Sequence, residues 1–260
     1  MANDLHDWRR RLQVLVEAGG WRRTTLGAPL GEPLELLQRN AAHADAPRLL
    51  IATALHGNEI AGPWGLLAFL RDADEALLDR AHLALLPMVN ATGFAADTRL
   101  NSLGENPNRG YGPHAGEHAP SAEGRVLLAH EALLIAASRD GALACHEDLT
   151  RSFCYVYAFE PGAAPGPFSR ALVAAGARHF RVHPDGVVDG QAVHDGVVLN
   201  HHDGSLESWL SAQGAAVAAC VETPGRADLA QRVAAQAGWM RTFVELRCRS
   251  GPDPLQATGG

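Results

Sequence analysis

Apolar residues recur along the 260-residue chain in two patterns, one typical of helices and the other of buried strands. The first pattern predicts an amphipathic helix over residues 4–18, which ends at Gly19-Gly20. The second consists of short, almost wholly apolar runs, as expected for strands covered on both faces. These runs predict strands at residues 33–37, 48–55, 82–89, 142–146, 153–159 and 216–222. Helical spacing predicts further helices at residues 60–70, 122–139, 168–177, 206–213 and 227–246.

Strand, helix and strand over residues 48–89 form a βαβ unit, so we expect an α/β protein. The length and the 47% hydrophobic content fit one domain, which we place at residues 1–250. Residues 90–120 are rich in Gly, Asn and Pro and show no periodicity, which is typical of a functional loop. We expect an irregular segment at residues 179–205 and a disordered tail at 251–260.

Composition excludes several classes of chemistry. All 22 basic residues are arginine, so a Schiff-base lysine, a P-loop lysine and a Ser-x-x-Lys pair are impossible. The net charge of -7 disfavours nucleic acid and anionic membranes as partners. The four cysteines form no C-x-x-C pair, which indicates reduced thiols rather than a cysteine zinc site. No signal-peptide core or membrane-spanning run is recognisable, so we expect a cytoplasmic protein.

Two H-x-x-E motifs are candidate metal sites. The one at His114, Glu117 and His118 needs a helix, which the surrounding Gly112-Pro113, Gly116 and Pro120 disfavour. His56-Gly-Asn-Glu59 instead lies at the carboxyl end of a predicted strand and opens a helix, where α/β sheets place their ligand crevices. A catalytic zinc needs a third protein ligand. On this motif alone, a loop histidine satisfied by the backbone remains an equal alternative.

Two further strand ends offer suitable side chains. His146 ends a predicted strand and could supply the third ligand, whereas Glu147 and Asp148 beside it are expected to face solvent or to accept hydrogen bonds from the site. Glu222 ends another apolar strand, a costly place for a carboxylate outside a functional crevice. Three strand ends therefore predict one convergent site.

The predicted loop at residues 90–120 adds two arginines, Arg99 and Arg109, and the amide Asn108. A guanidinium suits bidentate carboxylate binding or stabilisation of an oxyanion, and Asn108 could donate to the same anion. Solvation at the surface is the alternative for any loop arginine.

In order along the chain, His56-Gly-Asn-Glu59, Asn90-x-x-Gly93, Arg99, Asn108-Arg109, His146 and Glu222-Thr-Pro resemble the M14 zinc carboxypeptidase family. The resemblance runs from about residue 48 to residue 246. It implies a single domain with a mixed, mostly parallel sheet flanked by helices. It also implies one zinc ion bound by His56, Glu59 and His146, with Glu222 as general base and then acid. Arg99 would stabilise the oxyanion, while Asn108 and Arg109 would hold the free carboxylate of the substrate.

The chain departs from the family at its mobile tyrosine, where it offers Asn200, His201, His202 and Asp203. His201 or His202 could replace that tyrosine as hydrogen-bond donor. The segment from Gly204 to Trp209 resembles the part of the family that forms the side-chain pocket. Leu206 is the candidate floor and would favour apolar substrates, although Glu207 beside it would reverse that preference.

The resemblance favours a carboxypeptidase or peptide amidase acting on small peptides, with cell-wall peptides as one possibility. The alternative is an N-acyl amino acid deacylase of the aspartoacylase and succinylglutamate desuccinylase type. The sequence His-Gly-Asn-Glu of the motif favours this alternative. That branch usually carries an extra β domain after the catalytic Glu, whereas 38 residues follow Glu222 here. A non-catalytic metal- or carboxylate-binding protein is the third interpretation. Either enzyme would take a small substrate with a free carboxylate, and the sequence indicates no oligomeric state.

Overall fold

The computed structural model describes residues 3–113, 116 and 118–249. Its strands are β1 (Arg22–Gly27), β2 (Leu34–Arg39), β3 (Arg48–Thr53), β4 (His82–Leu86), β5 (Gly141–Asp148), β6 (Tyr155–Phe159), β7 (Gly186–Val188), β8 (Gln191–Val193), β9 (Val197–Leu199) and β10 (Ala218–Pro224). Its α-helices are α1 (Leu5–Ala18), α2 (Ala61–Asp72), α3 (Glu75–Leu78), α4 (Ala91–Ala96), α5 (Ala122–Ala129), α6 (Glu131–Ala137), α7 (Pro167–Gly176), α8 (Leu206–Ala212) and α9 (Leu229–Arg249).

Eight strands form one mixed sheet in the order β1-β2-β4-β3-β5-β10-β6-β9. The central strands β4, β3, β5 and β10 run parallel, while β2 and β6 flank them in antiparallel pairing. The predicted fold, an α/β domain with a mixed, mostly parallel sheet flanked by helices, is confirmed.

Helices cover both faces of the sheet, so its central strands are apolar on both sides. On β3, Leu49 and Ile51 join the core under α1, α2, α7 and α9. The alternate residues Leu50 and Ala52 join the second core under α5, α6 and α8. This double burial explains why the central strands appear in the sequence as continuous apolar runs.

Several elements differ from their predictions. The predicted helix at 122–139 is two helices, α5 and α6, which meet at His130. β1 was missed because its residues at the sheet edge are mostly polar and exposed. The segments predicted to be irregular contain α4 and the short strands β7, β8 and β9. The tail at 251–260, together with His114 and Glu117 of the second histidine motif, lies outside the described residues.

The topology places three predicted site strands side by side. β5 lies between β3 and β10, and all three run in the same direction, so their carboxyl ends meet at one edge. Within this edge, Glu222 on β10 is in register with His146 on β5. In the part of the chain that is described, no helix is long and apolar enough to cross a membrane.

Candidate metal centre and catalytic cleft

His56, Glu59 and His146 converge behind this sheet edge. Nδ1 of His56 lies 2.7 Å from Oε1 of Glu59, and Nδ1 of His146 lies 2.6 Å from Oε2 of the same carboxylate. All three side chains are buried, and one ligand atom from each lies within 4.8 Å of the others. The structure therefore brings together the three residues predicted as metal ligands.

The turn after β3 is built to present His56. Ala54 has a left-handed backbone (φ 53°), held by a 2.8 Å hydrogen bond from Asn90 N to its carbonyl. Gly57 packs so closely on α4 that a Cβ there would lie 2.0 Å from the carbonyl carbon of Gly93. Only glycine fits this approach, so the glycine of the motif fixes where His56 and Glu59 point.

Two asparagines touch the outer nitrogens of the histidine ligands. Oδ1 of Asn106 lies 3.1 Å from Nε2 of His56, and Nδ2 of Asn108 lies 3.2 Å from Nε2 of His146. The Asn106 oxygen can accept from Nε2–H of His56, which fixes that ring and leaves its Nδ1 for a metal. The Asn108 amide nitrogen is a donor, so its contact with Nε2 of His146 forms only when that nitrogen carries no proton. Asn106 was missed by the sequence analysis because nothing in its spacing distinguishes it from the other polar residues of the segment.

The charges around these residues suit a divalent cation. Burial lowers the pKa of His56 to about 4, which keeps this imidazole neutral, as a metal ligand must be. Burial also lowers the pKa of His146, but the carboxylates of Glu59, Glu222 and Glu207 outweigh it and raise the pKa to about 9. Two imidazoles and one carboxylate are a donor set used by catalytic zinc sites, and the surplus of carboxylates is charge that a cation would neutralise.

Glu222 faces this group from β10. Its Oε1 accepts a 3.5 Å contact from the thiol of Cys220, and its Oε2 is buried without a hydrogen-bond partner among the described residues. Burial raises the pKa of Glu222 well above its usual value; His146 opposes this rise and Glu59 adds to it. A carboxyl group with a raised pKa holds a proton more readily than an ordinary glutamate does, as is typical of groups that act as general acids.

The two predicted arginines reach the cleft differently. Arg99 is about half exposed, at 49%, and its Nη1 lies 2.9 Å from Oε1 of Glu59. Arg109 is held from both sides: Nη2 pairs with Asp203 at 2.9 Å, and Nη1 donates to the Asn108 carbonyl at 2.7 Å. Asn108 is buried, and its Oδ1 accepts from the backbone N–H of Leu206 at 2.9 Å. Asn108 thus links the histidine site to α8.

The cleft itself is a cavity of about 250 Å³ at the sheet edge. It is bordered by most of the predicted site residues, namely His56, Arg99, Asn108, Arg109, His146, His201 and Glu222. A cavity of this size is slightly smaller than common drug-sized sites and suits one side chain or a small acyl group.

Known proteins resemble this chain in sequence and in fold. The family model "Succinylglutamate desuccinylase/Aspartoacylase catalytic domain" matches residues 45–149. A Shewanella amazonensis protein described as a "putative metallopeptidase" is 47% identical, with 94% of each chain covered and a TM-score of 0.90. The chain belongs to the M14-like hydrolase superfamily. A Shewanella denitrificans protein with the same description is 45% identical over 96% of this chain and 92% of its own, with a TM-score of 0.89.

The fold extends to more distant members of the superfamily. A metallo-carboxypeptidase from Burkholderia cenocepacia is 18% identical, with 92% of this chain and 67% of that chain covered and a TM-score of 0.66. At this identity the likeness concerns the fold alone. No curated protein matches the sequence.

In this M14-like hydrolase, the predicted pocket floor needs correction. Leu206 does not border the cleft; it is 1% exposed and packs with Tyr111 and Trp209 in the second core. Glu207, the next residue of α8, lines the cavity instead. Successive helical residues point about 100° apart, so the sequence could not decide which of the two faces the cleft.

The two candidate replacements for the mobile tyrosine separate in the structure. His201 lines the cavity, with its ring 6.3 Å from that of Tyr157. His202 is an exposed residue whose ring lies 5.1 Å from Phe159 and whose Nδ1 lies 3.2 Å from the Ser208 hydroxyl. It does not border the cavity.

Tyr157 is a cleft residue that the sequence analysis missed. It lies on β6 beside Cys220 of β10, and its hydroxyl donates to Asp189 at 2.8 Å. Asp189 has a left-handed backbone (φ 50°) at the turn of the β7–β8 hairpin. Burial and the Asp189 carboxylate raise the pKa of Tyr157, so its hydroxyl remains a donor. Apolar patterning gave no signal for it, since Tyr157 lies in a predicted strand.

Proposed function

We propose that this protein is a zinc-dependent hydrolase that cleaves an amide bond next to a free carboxylate, acting as a metallocarboxypeptidase on small peptides. One observation carries the proposal: His56, Glu59 and His146 meet within bonding reach of a common ion, and Glu222 lies in register with His146 at the same sheet edge. The Shewanella relatives described as metallopeptidases support it.

The three buried ligands would hold one zinc ion, which supplies Lewis-acid activation of water and of the scissile carbonyl. Glu222 takes a proton from the attacking water and returns it to the leaving nitrogen. Its Oε2 accepts no hydrogen bond from the described residues and is therefore open to a proton from water, and its raised pKa favours holding that proton until it passes to the nitrogen. Burial of the ligands keeps bulk water away from the reacting groups.

The two arginines would bind the negatively charged groups of the reaction, which are the developing oxyanion and the substrate carboxylate. Arg99 is exposed enough to turn from Glu59 towards an oxyanion developing on the substrate. Arg109 lines the cavity with its guanidinium fixed by Asp203 and the Asn108 carbonyl, and it offers its remaining N–H groups to the substrate carboxylate. Asn108 helps to fix α8 through the Leu206 N–H, and its amide N–H groups can donate to the same substrate carboxylate as Arg109.

The direct test combines metal analysis with kinetics. We expect about one zinc per chain in the purified protein, loss of peptide hydrolysis after chelation, and recovery when zinc is returned. The substrates are small peptides differing in their C-terminal residue. Hydrolysis that survives complete metal removal would contradict the proposal.

A second candidate activity is the removal of an acyl group from an N-acyl amino acid. The match of residues 45–149 to the desuccinylase/aspartoacylase catalytic domain favours it. Side-by-side kinetics on N-acyl amino acids and on peptides separate the two: a carboxypeptidase shows the higher kcat/KM on peptides, and a deacylase on the acyl compounds.

A further inference from the structure

Helices α1, α2 and α9 form a groove on the side of the sheet opposite to α5, α6 and α8. α2 packs against both α1 and α9 and thus forms the floor between them. The groove has a volume of about 850 Å³, compared with about 250 Å³ for the catalytic cavity. Its apolar lining comes from all three helices and includes Val14, Leu15, Trp64, Leu67, Leu229 and Val233. None of these residues takes part in the proposed reaction.

Val14 borders the groove from α1 and is 59% exposed. The opposite face of α1 is buried in the first core, so the fold does not need an apolar residue at position 14. On the outer face, Arg11 lies one turn before Val14 and Glu17 one turn after it, and both are exposed. An exposed apolar residue that adjoins an apolar groove and is flanked by charges is typical of a protein contact surface.

The charges on α1 are arranged so that a second copy of the helix complements them. Arg11 and Glu17 each lie three residues from Val14, on opposite sides of it. When two copies of α1 run antiparallel with their Val14 side chains opposite each other, Arg11 of each copy faces Glu17 of the other. This surface is therefore self-complementary, as the interface of a two-fold symmetric dimer must be.

Contacts within the chain hold both charged groups at the groove. Nε of Arg11 pairs with Oδ2 of Asp7 at 2.8 Å, and its guanidinium carbon lies 5.7 Å from the centre of the Trp64 ring. Glu17 accepts a hydrogen bond from the amide of Gln13 through Oε1. Because these side chains are already ordered, less entropy is lost when they meet a partner.

We propose that this groove is the interface of a homodimer, in which α1 of each copy lies over α2 of the other. Three arginines and one aspartate border the groove, namely Arg10, Arg11, Arg71 and Asp228, so it favours an occupant that brings a carboxylate, as Glu17 of a second α1 does. At 14 residues, α1 is about 21 Å long and covers the 12 residues of α2, which span about 18 Å.

An acidic helix of another protein would also meet the three arginines. It would leave unexplained why Arg11 and Glu17 are placed symmetrically about Val14. The dimer does not depend on the proposed hydrolysis, because its surface shares no residue with the catalytic cleft.

Charge reversal with rescue tests the dimer. Sedimentation equilibrium measures the dissociation constant of the wild type, Arg11→Glu, Glu17→Arg and the double variant Arg11→Glu/Glu17→Arg. Arg22→Glu, at an exposed arginine of β1 outside the groove, is the control for the change in net charge.

The wild type and Arg22→Glu should sediment as dimers. Each single reversal at the groove sets like charges opposite each other twice per dimer and should raise the dissociation constant by about 10-fold or more. The double variant should recover most of the affinity. A monomeric wild type, a dimer that the single reversals leave unchanged, or a double variant as weak as the single ones would overturn the interface.

Crosslinking gives a second measurement that does not depend on charge. Val14→Cys is compared with Val187→Cys, since the two valines are equally exposed, at 59% and 60%, and the native cysteines are the same in both variants. Under mild oxidation, Val14→Cys should form a disulfide-linked dimer, because the two copies of this residue lie beside the symmetry axis. Val187→Cys should form no more than the wild type does. Equal crosslinking of the two variants would contradict the proposed dimer.

Discussion

Two regions that meet at neighbouring residues of β5 differ in how their buried carboxylates are paired. His146 faces the cleft, and the next residue, Glu147, points to the other side of the strand, under α2 and α9. Glu147 accepts from the Ala61 backbone N–H at 2.8 Å, the Thr223 hydroxyl at 3.0 Å and Arg232 at 2.6 Å. In the cleft, Glu207 and Glu222 each have one buried oxygen with no hydrogen-bond partner in the described part of the chain.

The difference separates a carboxylate that is paired within the fold from two that we propose to act on ligands. Glu147 is neutralised by Arg232 and joins β5, β10, α2 and α9 behind the site, where Gln236 also donates to the carbonyl of His146 at 2.7 Å. Each of the two cleft carboxylates has an oxygen without a hydrogen-bond partner among the described residues, and we propose that a bound ligand supplies that partner. Replacing a partner of Glu147 should therefore damage stability, whereas replacing the cleft carboxylates should damage activity.

The largest effect is expected for Glu222→Gln. Loss of the proton acceptor should lower kcat by about 100- to 10,000-fold, the usual range for general acid–base catalysis. Zinc content and the urea midpoint should stay close to those of the wild type, since Oε2 of Glu222 accepts no hydrogen bond from any residue that the structure describes. Near-normal peptide hydrolysis with zinc still bound would refute the role of Glu222.

Arg232→Met tests the region behind the site in which Glu147 is paired. This change leaves Glu147 as a buried charge without its cation and should lower the free energy of unfolding by about 3–5 kcal/mol. Urea denaturation measures it, and the double variant Glu147→Gln/Arg232→Met should recover most of the loss. A loss below about 1 kcal/mol in the single variant would show that Glu147 does not depend on this pair.

Arg99→Ala tests the exposed arginine of the cleft. Removing one donor to the oxyanion should lower kcat by about 100- to 1000-fold. Arg125→Ala is the control, because Arg125 is exposed and pairs only loosely, at 3.6 Å, with Glu105 outside the cleft. Equal activity of the two variants would mean that Arg99 pairs with Glu59 but takes no part in the reaction.

A smaller effect is expected for Tyr157→Phe. If its hydroxyl donates to the substrate in place of the family's tyrosine, kcat/KM should fall by about 2- to 10-fold, as for loss of one neutral hydrogen bond. His201→Phe provides the comparison, since His201 lies against the Tyr157 ring in the same cavity. A larger loss in His201→Phe would assign the donor to the histidine, as the sequence first indicated.

The smallest expected effect is that of Glu207→Gln on the free energy of unfolding. The amide keeps the shape of the side chain and removes a buried charge that no arginine among the described residues pairs with, so the free energy of unfolding should change by less than about 1 kcal/mol. Urea denaturation of Glu207→Gln and of Arg232→Met under the same conditions compares the stability of the two regions directly. A loss as large as that of Arg232→Met would make Glu207 a structural carboxylate.

The sequence could predict that the candidate site residues lie together because of one general property of α/β sheets: parallel strands bring their carboxyl ends to a common edge. His56, His146 and Glu222 could be found in this way, since each follows or ends an apolar run. The fold class followed from the same runs. The exposed, polar edge strand β1 carries no such signal.

Tertiary contacts decided what the sequence could not. Glu147 was expected to face solvent or the site, but the approach of Arg232 from α9 buries and pairs it. The choice between Leu206 and Glu207 depended on the rotation of α8, which the hydrogen bond from Leu206 N to Asn108 helps to fix. Tyr157 and Asp189 meet only because the β7–β8 hairpin folds against β6.

The central claim is that His56, Glu59 and His146 form one zinc site that hydrolysis requires. The most direct measurement is calorimetric titration of zinc into chelator-treated wild-type protein and Glu59→Gln, followed by peptide hydrolysis on the same samples. We expect one tight zinc per wild-type chain with restored activity, and in Glu59→Gln at least about 10-fold weaker binding with little activity. Equal zinc affinity and equal activity in the two proteins would contradict it.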